Sequence, residues 1–236
     1  MKLKAVLFDL DGTLLPMNQE LFMKLYFGNL AKKLAPLGYE PQKLIDSIWA
    51  GTAAMVKNDG SKTNEEAFWN RFSELLGKDC RTDEPVFDEF YRNEFIEAKA
   101  ACDCNPMARE LIDFLKSKGL TLILATNPLF PPVATEQRVQ WAGLTPEDFL
   151  LYTTYDNSSY CKPNPNYYKE ILEKTGFSTE EGLMVGNDAT EDMVAEELGM
   201  KVFLLTDCLL NTKNVDISKY PQGSFHDLLT FIAEYL

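Results

Sequence analysis

A doubly wound parallel α/β sheet carrying an inserted all-helical segment is the architecture that the 236-residue sequence predicts. Two observations lead there. From residue 106 onward, short runs apolar on both faces, such as Leu120–Ala125 and Val202–Leu205, alternate with amphipathic helical stretches. Strands buried on both sides belong to parallel sheets covered by helices. A further strand of this kind, residues 4–8, stands alone near the start, and the chain between it and residue 99 is helical in texture throughout.

The elements follow in order. Leu21, Phe22, Leu25, Tyr26, Leu30 and Leu34 recur at helical spacing before Gly38 and Pro41. Leu44, Ile45, Ile48, Trp49 and Val56 mark a second helix. Thr63-Asn64-Glu65-Glu66 is a capping box, in which the hydroxyl and the glutamate satisfy early amides of a third helix. Its apolar stripe, Phe68, Phe72, Leu75 and Leu76, ends at Gly77, and a fourth helix is expected over 85–98. Pro106 suits the first turn of the next helix, whose apolar face is Met107, Leu111, Ile112 and Leu115. There follow the strand 120–125, a helix over 132–142, the short strand 150–153, a helix over 166–175 and the strand 183–185. A helix over 190–198, the strand 202–205 and a C-terminal helix marked by Phe225, Leu228, Leu229 and Ile232 complete the chain. The expected division is an α/β core of residues 1–16 and 100–236, with residues 17–99 as a helical domain. Phe22, Tyr26, Trp49 and Trp69 read as core of that bundle.

Composition narrows the function. Apolar residues at 45% and charged residues at 25% suit a soluble globular protein, and the formal charge of −13 argues against nucleic acid and anionic membranes. It leaves room for a small phosphorylated partner, whose binding is decided by local charge. Five scattered cysteines read as free thiols in a reducing, cytoplasmic setting, and a single histidine, His226, argues against zinc and His-based catalysis. No signal peptide or membrane span is expected, and the chain is expected to be a monomer or homodimer.

In open parallel sheets, ligands bind beyond the carboxyl ends of the strands. There the sequence places Asp9 and Asp11, Thr126-Asn127, Lys162-Pro163, and Gly186-Asn187-Asp188-Ala189-Thr190-Glu191-Asp192. Each has an ordinary reading: a turn dipeptide for Asp11-Gly12, loop starts for Asn127-Pro128 and Asn164-Pro165, a helix N-cap for Asp188 or Thr190, a solvated Lys162. Together they form one set. Crowded carboxylates repel and call for a hard cation such as Mg²⁺. An Asp can attack phosphorus, and a second acid can protonate the leaving oxygen and then activate water. Lysine, hydroxyl and amide groups suit the remaining phosphoryl oxygens.

Asp9-Leu10-Asp11-Gly12-Thr13-Leu14 resembles the first motif of the haloacid dehalogenase-like hydrolases. Leu124-Ala125-Thr126-Asn127, Lys162-Pro163 and Gly186 through Asp192 resemble the three later motifs in the same order. The resemblance implies a Rossmann-like core with a C1-type helical cap. It makes Asp9 the nucleophile and Asp11 the general acid/base, with Thr126, Asn127 and Lys162 binding the phosphoryl group. Mg²⁺ would be held by Asp9, the Asp11 carbonyl and Asp188, with Asp192 acting directly or through water. The family often reads Gly-Asp where Asn187 intervenes here, and Glu191 is an alternative ligand. An acid at Asp11 points to phosphatases rather than dehalogenases, since halide leaves without a proton. The expected function is therefore a Mg²⁺-dependent phosphatase acting on a small phosphomonoester. Transfer to a second hydroxyl, as in sugar phosphomutases, and a catalytically idle binding domain are the alternatives.

Overall fold

The strand that delivers Asp9 lies inside the sheet, where a run of four apolar residues belongs. In the computed structural model, which describes residues 2–236, β1 (Ala5–Phe8) pairs in parallel with β2 (Thr121–Leu124) on one side and β4 (Gly182–Gly186) on the other. With β3 (Leu151–Tyr152), β5 (Lys201–Leu205) and β6 (Gln222–Gly223) they form one parallel sheet of order β3-β2-β1-β4-β5-β6. Alternate side chains face opposite ways, so each strand feeds two cores. Val6, Phe8, Leu124 and Val185 pack under α5 (Pro106–Ser117), α6 (Pro132–Trp141) and α8 (Phe225–Ala233). Ala5, Leu7, Ile123 and Met184 pack under α7 (Pro165–Thr175) and a 3₁₀ segment, Met193–Leu198. The sheet is covered on both faces.

Between β1 and α5 the chain is helical: α1 (Gln19–Leu34), α2 (Pro41–Val56), α3 (Asn64–Leu76), α4 (Glu84–Asn93) and a 3₁₀ stretch, Phe95–Ala101. This is the inserted helical cap. Asn18 caps α1 by accepting the Leu21 N–H, and the Thr63–Glu66 capping box opens α3. The outgoing and returning segments run side by side, with Met17 bridged to Cys102 and main-chain bonds from Asn18 to Ala101 and from Asp103 to Pro16. The insertion touches the core a second time. At the start of α3, the N–H groups of Asn64 and Glu65 donate to the carbonyls of Ser158 and Tyr155, both at 2.8 Å. The fully buried Asn64 amide donates to the Tyr160 carbonyl and the Cys161 sulfur, and accepts from Asn58.

Three elements differ from the sequence expectation. The fourth helix ends at Asn93 and continues as 3₁₀, because Phe95, Ala98 and Ala101 are buried at every third residue, the period of a 3₁₀ helix. The helix expected over 190–198 is a 3₁₀ segment from Met193. The Tyr168 hydroxyl donates to the Glu191 carbonyl, which an α-helix would give to Ala195, and the Ala195 N–H turns to Asp192 instead. The strand expected over 150–153 shrinks to Leu151–Tyr152 at the sheet edge, with Leu150 largely exposed. Among the described residues no helix is long and apolar enough to cross a membrane.

Candidate active site

The chain steps from β1 to β2 and β3 on one side, then returns to place β4 on the other side of β1. At such a reversal two neighbouring strand ends open a crevice. Asp9 leaves β1 there, its N–H still bonded to the Val185 carbonyl at 2.9 Å, and Asn187-Asp188 leave β4 beside it. Two glycines let these segments close up. Gly12 has φ of 86°, and a Cβ on it would stand 2.3 Å from the Asn187 amide nitrogen. A Cβ on Gly186 would fall 2.1 Å from the Asp192 carboxylate.

Lys162 is the centre of the site. Its ammonium, 1% exposed, lies 2.8 Å from Asp9 Oδ1 and 2.6 Å from Asp192 Oδ1. Burial by itself disfavours an ammonium, but the charges of Asp192 and Asp9 hold its pKa well above the ordinary lysine value, so it stays protonated. Asp192 feels the opposite balance. Burial pushes it up to about 6, against the pull of Lys162 and with the repulsion of Asp9 added. Its other oxygen accepts the Asp188 N–H at 2.9 Å. Thr13 Oγ stands 3.1 Å from Asp9 Oδ2 and 3.0 Å from Asn187 Oδ1; its one proton serves them in turn.

Asn127 and Thr126 close the second side. The Asn127 amide donates to Glu191 at 3.0 Å and its oxygen accepts the Lys162 N–H at 3.3 Å. Burial, opposed by Lys162, lifts Glu191 to about 7. Thr126 is buried at the end of β2, where its carbonyl accepts the Thr153 hydroxyl at 2.6 Å and the Tyr167 hydroxyl at 2.8 Å.

Asp11 stands apart from the lysine. One carboxylate oxygen pairs with Arg138, a fully buried guanidinium on α6, and the other is buried with no partner among the described residues. Burial raises the Asp11 pKa, Arg138 lowers it and Asp9 raises it again, with a net upward shift. Arg138 is itself held by the Ala134 carbonyl and the Thr135 hydroxyl and lies 4.5 Å above the Phe130 ring. The sequence reading missed it, although a cation on the buried stripe of α6, beside Ala134, Thr135 and Trp141, is the kind of position that signals a buried pair.

Asp9, Lys162 and Asp192 thus meet directly, Asn127 joins through Lys162 and Glu191, and Asp188 joins through its main chain. The Asp188 side chain caps its own turn, with Oδ1 accepting the N–H groups of Thr190 at 2.7 Å and Glu191 at 2.8 Å. Asn187, also missed from sequence as a site residue, is the buried side chain that shares Thr13 with Asp9.

A hard cation suits this donor set in chemistry. Asp188 Oδ2 and the Asp11 carbonyl take no hydrogen bond among the described residues, and both are oxygen donors of the type Mg²⁺ prefers. No three acidic, cysteine or histidine side chains among the described residues cluster closely enough to hold an ion alone. The carboxylates of Asp9, Asp11, Asp188 and Asp192, expected from sequence to share an ion, therefore do not form such a cluster by themselves.

The sequence matches the haloacid dehalogenase-like hydrolase family over residues 3–199. It is 28% identical to a phosphoglycolate phosphatase of Agrobacterium fabrum over 80% of this chain and 74% of that one. It is 25% identical to the pyrophosphatase PpaX of Bacillus cereus over 85% of this chain and 82% of that one. A 2-haloacid dehalogenase from Pseudomonas syringae shares the fold with a TM-score of 0.64, at 19% identity over 99% of this chain and all of that one. A family match spanning both strands of the crevice, a parallel sheet with an inserted helical cap, and an aspartate–lysine–aspartate cluster at the strand ends agree: the chain is an enzyme of the haloacid dehalogenase-like hydrolase family.

Proposed function

We propose that this hydrolase is a Mg²⁺-dependent phosphatase that releases phosphate from a small phosphorylated metabolite through an aspartyl-phosphate on Asp9. The observation that carries the reading is the buried Lys162 ammonium, which contacts Asp9 and Asp192 at once and so marks where a phosphoryl dianion is tolerated beside a carboxylate. The names of the relatives, a phosphoglycolate phosphatase and a pyrophosphatase, both denote cleavage of a phosphorus–oxygen bond, an ester in one and an anhydride in the other.

In this reading an Asp9 oxygen attacks phosphorus while the bond from phosphorus to the leaving oxygen breaks. Asp11, whose raised pKa favours the protonated form, gives its proton to that oxygen. Asp11 then takes a proton from water, water oxygen bonds to phosphorus, and the bond to Asp9 breaks to release inorganic phosphate. Lys162, Asn127 and Thr126 hold the phosphoryl oxygens. Asp9, the Asp11 carbonyl and Asp188 would hold the Mg²⁺, with Asp192 steadying Asp188 through its N–H. When bound, the cation neutralises phosphoryl charge and lets the anionic nucleophile approach. Residues 1–16 and 100–236 form the catalytic core in this scheme, and residues 17–99 the cap that excludes water.

Phosphate release from a generic phosphomonoester tests this. Release is expected with Mg²⁺ and is expected to vanish in EDTA, with one phosphoryl group trapped on the Asp9 peptide after acid quench. Rearranged sugar phosphate without free phosphate, or no turnover in Mg²⁺, contradicts the reading.

A further inference from the structure

Where the cap meets the core, a cavity of about 180 Å³ is walled by α1 to α4 on the cap side and by Leu129, Phe130, Pro131 and Tyr155 on the core side. Its lining is dominated by rings, among them Tyr26, Trp49, Trp69 and Phe87 from the cap. Trp49, expected in the bundle core, is 51% exposed at its edge and packs on Phe27 at 5.5 Å. An apolar cavity of roughly 150 Å³ accepts one benzene-sized ring.

The cavity connects to the proposed acid through two side chains. Asp11 pairs with Arg138, the Arg138 guanidinium carbon lies 4.5 Å from the centre of the Phe130 ring, and Phe130 is part of the cavity wall, 5.6 Å between centroids from Tyr26. Two side chains, Arg138 and Phe130, thus link Asp11 to the wall of the space, and the N–H of Leu129 on the same wall donates to the carbonyl of Asn127 at 2.8 Å. The charged groups on the wall are both acidic. Glu84 is answered by Arg81, while among the described residues Asp88 has no ion pair and no lysine or arginine lines the space.

We infer that this cavity receives the leaving group of the substrate, and that the leaving group carries a single apolar or aromatic ring and no negative charge. The inference rests on the phosphatase reading and deepens it. It separates this chain from the substrate in its phosphoglycolate phosphatase relative's name, because a carboxylate placed here would be desolvated among rings and face Asp88 without a counter-ion.

Three alkyl phosphates of similar leaving-group basicity test it with the wild-type enzyme and Mg²⁺: benzyl, 4-carboxybenzyl and ethyl phosphate. The expected kcat/KM is about tenfold or more higher for benzyl than for ethyl phosphate, the range one hydrophobic pocket supplies. The 4-carboxybenzyl ester is expected to fall to the ethyl level or below, and Asp88→Lys to narrow its gap from benzyl. Benzyl alcohol alone should change the fluorescence of Trp49 and Trp69. Equal turnover of all three esters, or a preference for the carboxylate, overturns the inference and leaves the phosphatase reading standing. No phosphate from any ester overturns both; a fluorescence change in that case assigns the cavity a ring ligand that is no leaving group.

Discussion

The rim of the sheet and the interior of the cap are both buried, yet they are built from opposite materials. At the rim, Lys162, Asp9, Asp192 and Thr13 are fixed by hydrogen bonds of 2.6–3.1 Å, each with a direction. In the cap, Phe72 stacks on Phe68 at 5.4 Å and meets Trp69 and Phe87 edge-on at 5.7 and 5.8 Å, contacts that depend on area and shape. A packing contact degrades gradually when an atom is removed. A buried charge that loses its partner fails abruptly. The rim should therefore be brittle in function, and the cap costly in stability and forgiving in rate.

Asp9→Asn breaks the comparison hardest. The amide keeps the shape and removes the carboxylate proposed as nucleophile, so phosphate release should drop to background while circular dichroism stays native. Turnover near the wild-type level would remove Asp9 from its role. Lys162→Ala should slow phosphate release by about 10²–10³, the loss expected for one transition-state donor. It also leaves Asp9 and Asp192 facing each other. Asp192 already binds its proton more tightly than an unfolded aspartate, and losing Lys162 raises it further. A raised carboxyl destabilises the fold at pH above its folded value and is relieved as pH falls toward the ordinary carboxylate range. In EDTA, the melting temperature of this variant should climb as pH falls from above 7 to about 5, more steeply than in wild type. A flat profile would mean that the two acids do not share the lysine's charge. Leu30→Ala in α1, fully buried in the cap, sharpens the contrast from the other side. It should cost about 2–5 kcal/mol of stability by denaturant melting, with kcat changed far less than in either rim variant; an equal loss of kcat would refute the division of labour.

Much of the rim was legible because strand ends and turn chemistry are local. Ala5–Phe8 is apolar on both faces, so whatever follows it stands at the carboxyl end of a buried strand, and Asp9 follows it. What escaped was set by partners distant in sequence. Arg138 acquires meaning only when Asp11, from the start of the chain, folds against α6. The 3₁₀ turn at Met193 depends on a hydroxyl reaching over from Tyr168. Aromatic residues at helical spacing in α1 to α3 gave the correct bundle, but not that Trp49 and Trp69 leave a space between them and the core. Periodicity assigns a residue to a face; whether the facing surfaces fill or part is decided by side chains from several helices at once.

The loop gripped by Asn64 runs on directly into Lys162. Any swing of the helical lid that frees α3 must first give up those bonds, and the strip of backbone it lets go ends at the ammonium balancing Asp9 and Asp192. With residues 17–99 acting as the proposed cap, mechanical access to the crevice and the charge balance within it would be tethered to one seven-residue stretch, Tyr155–Cys161.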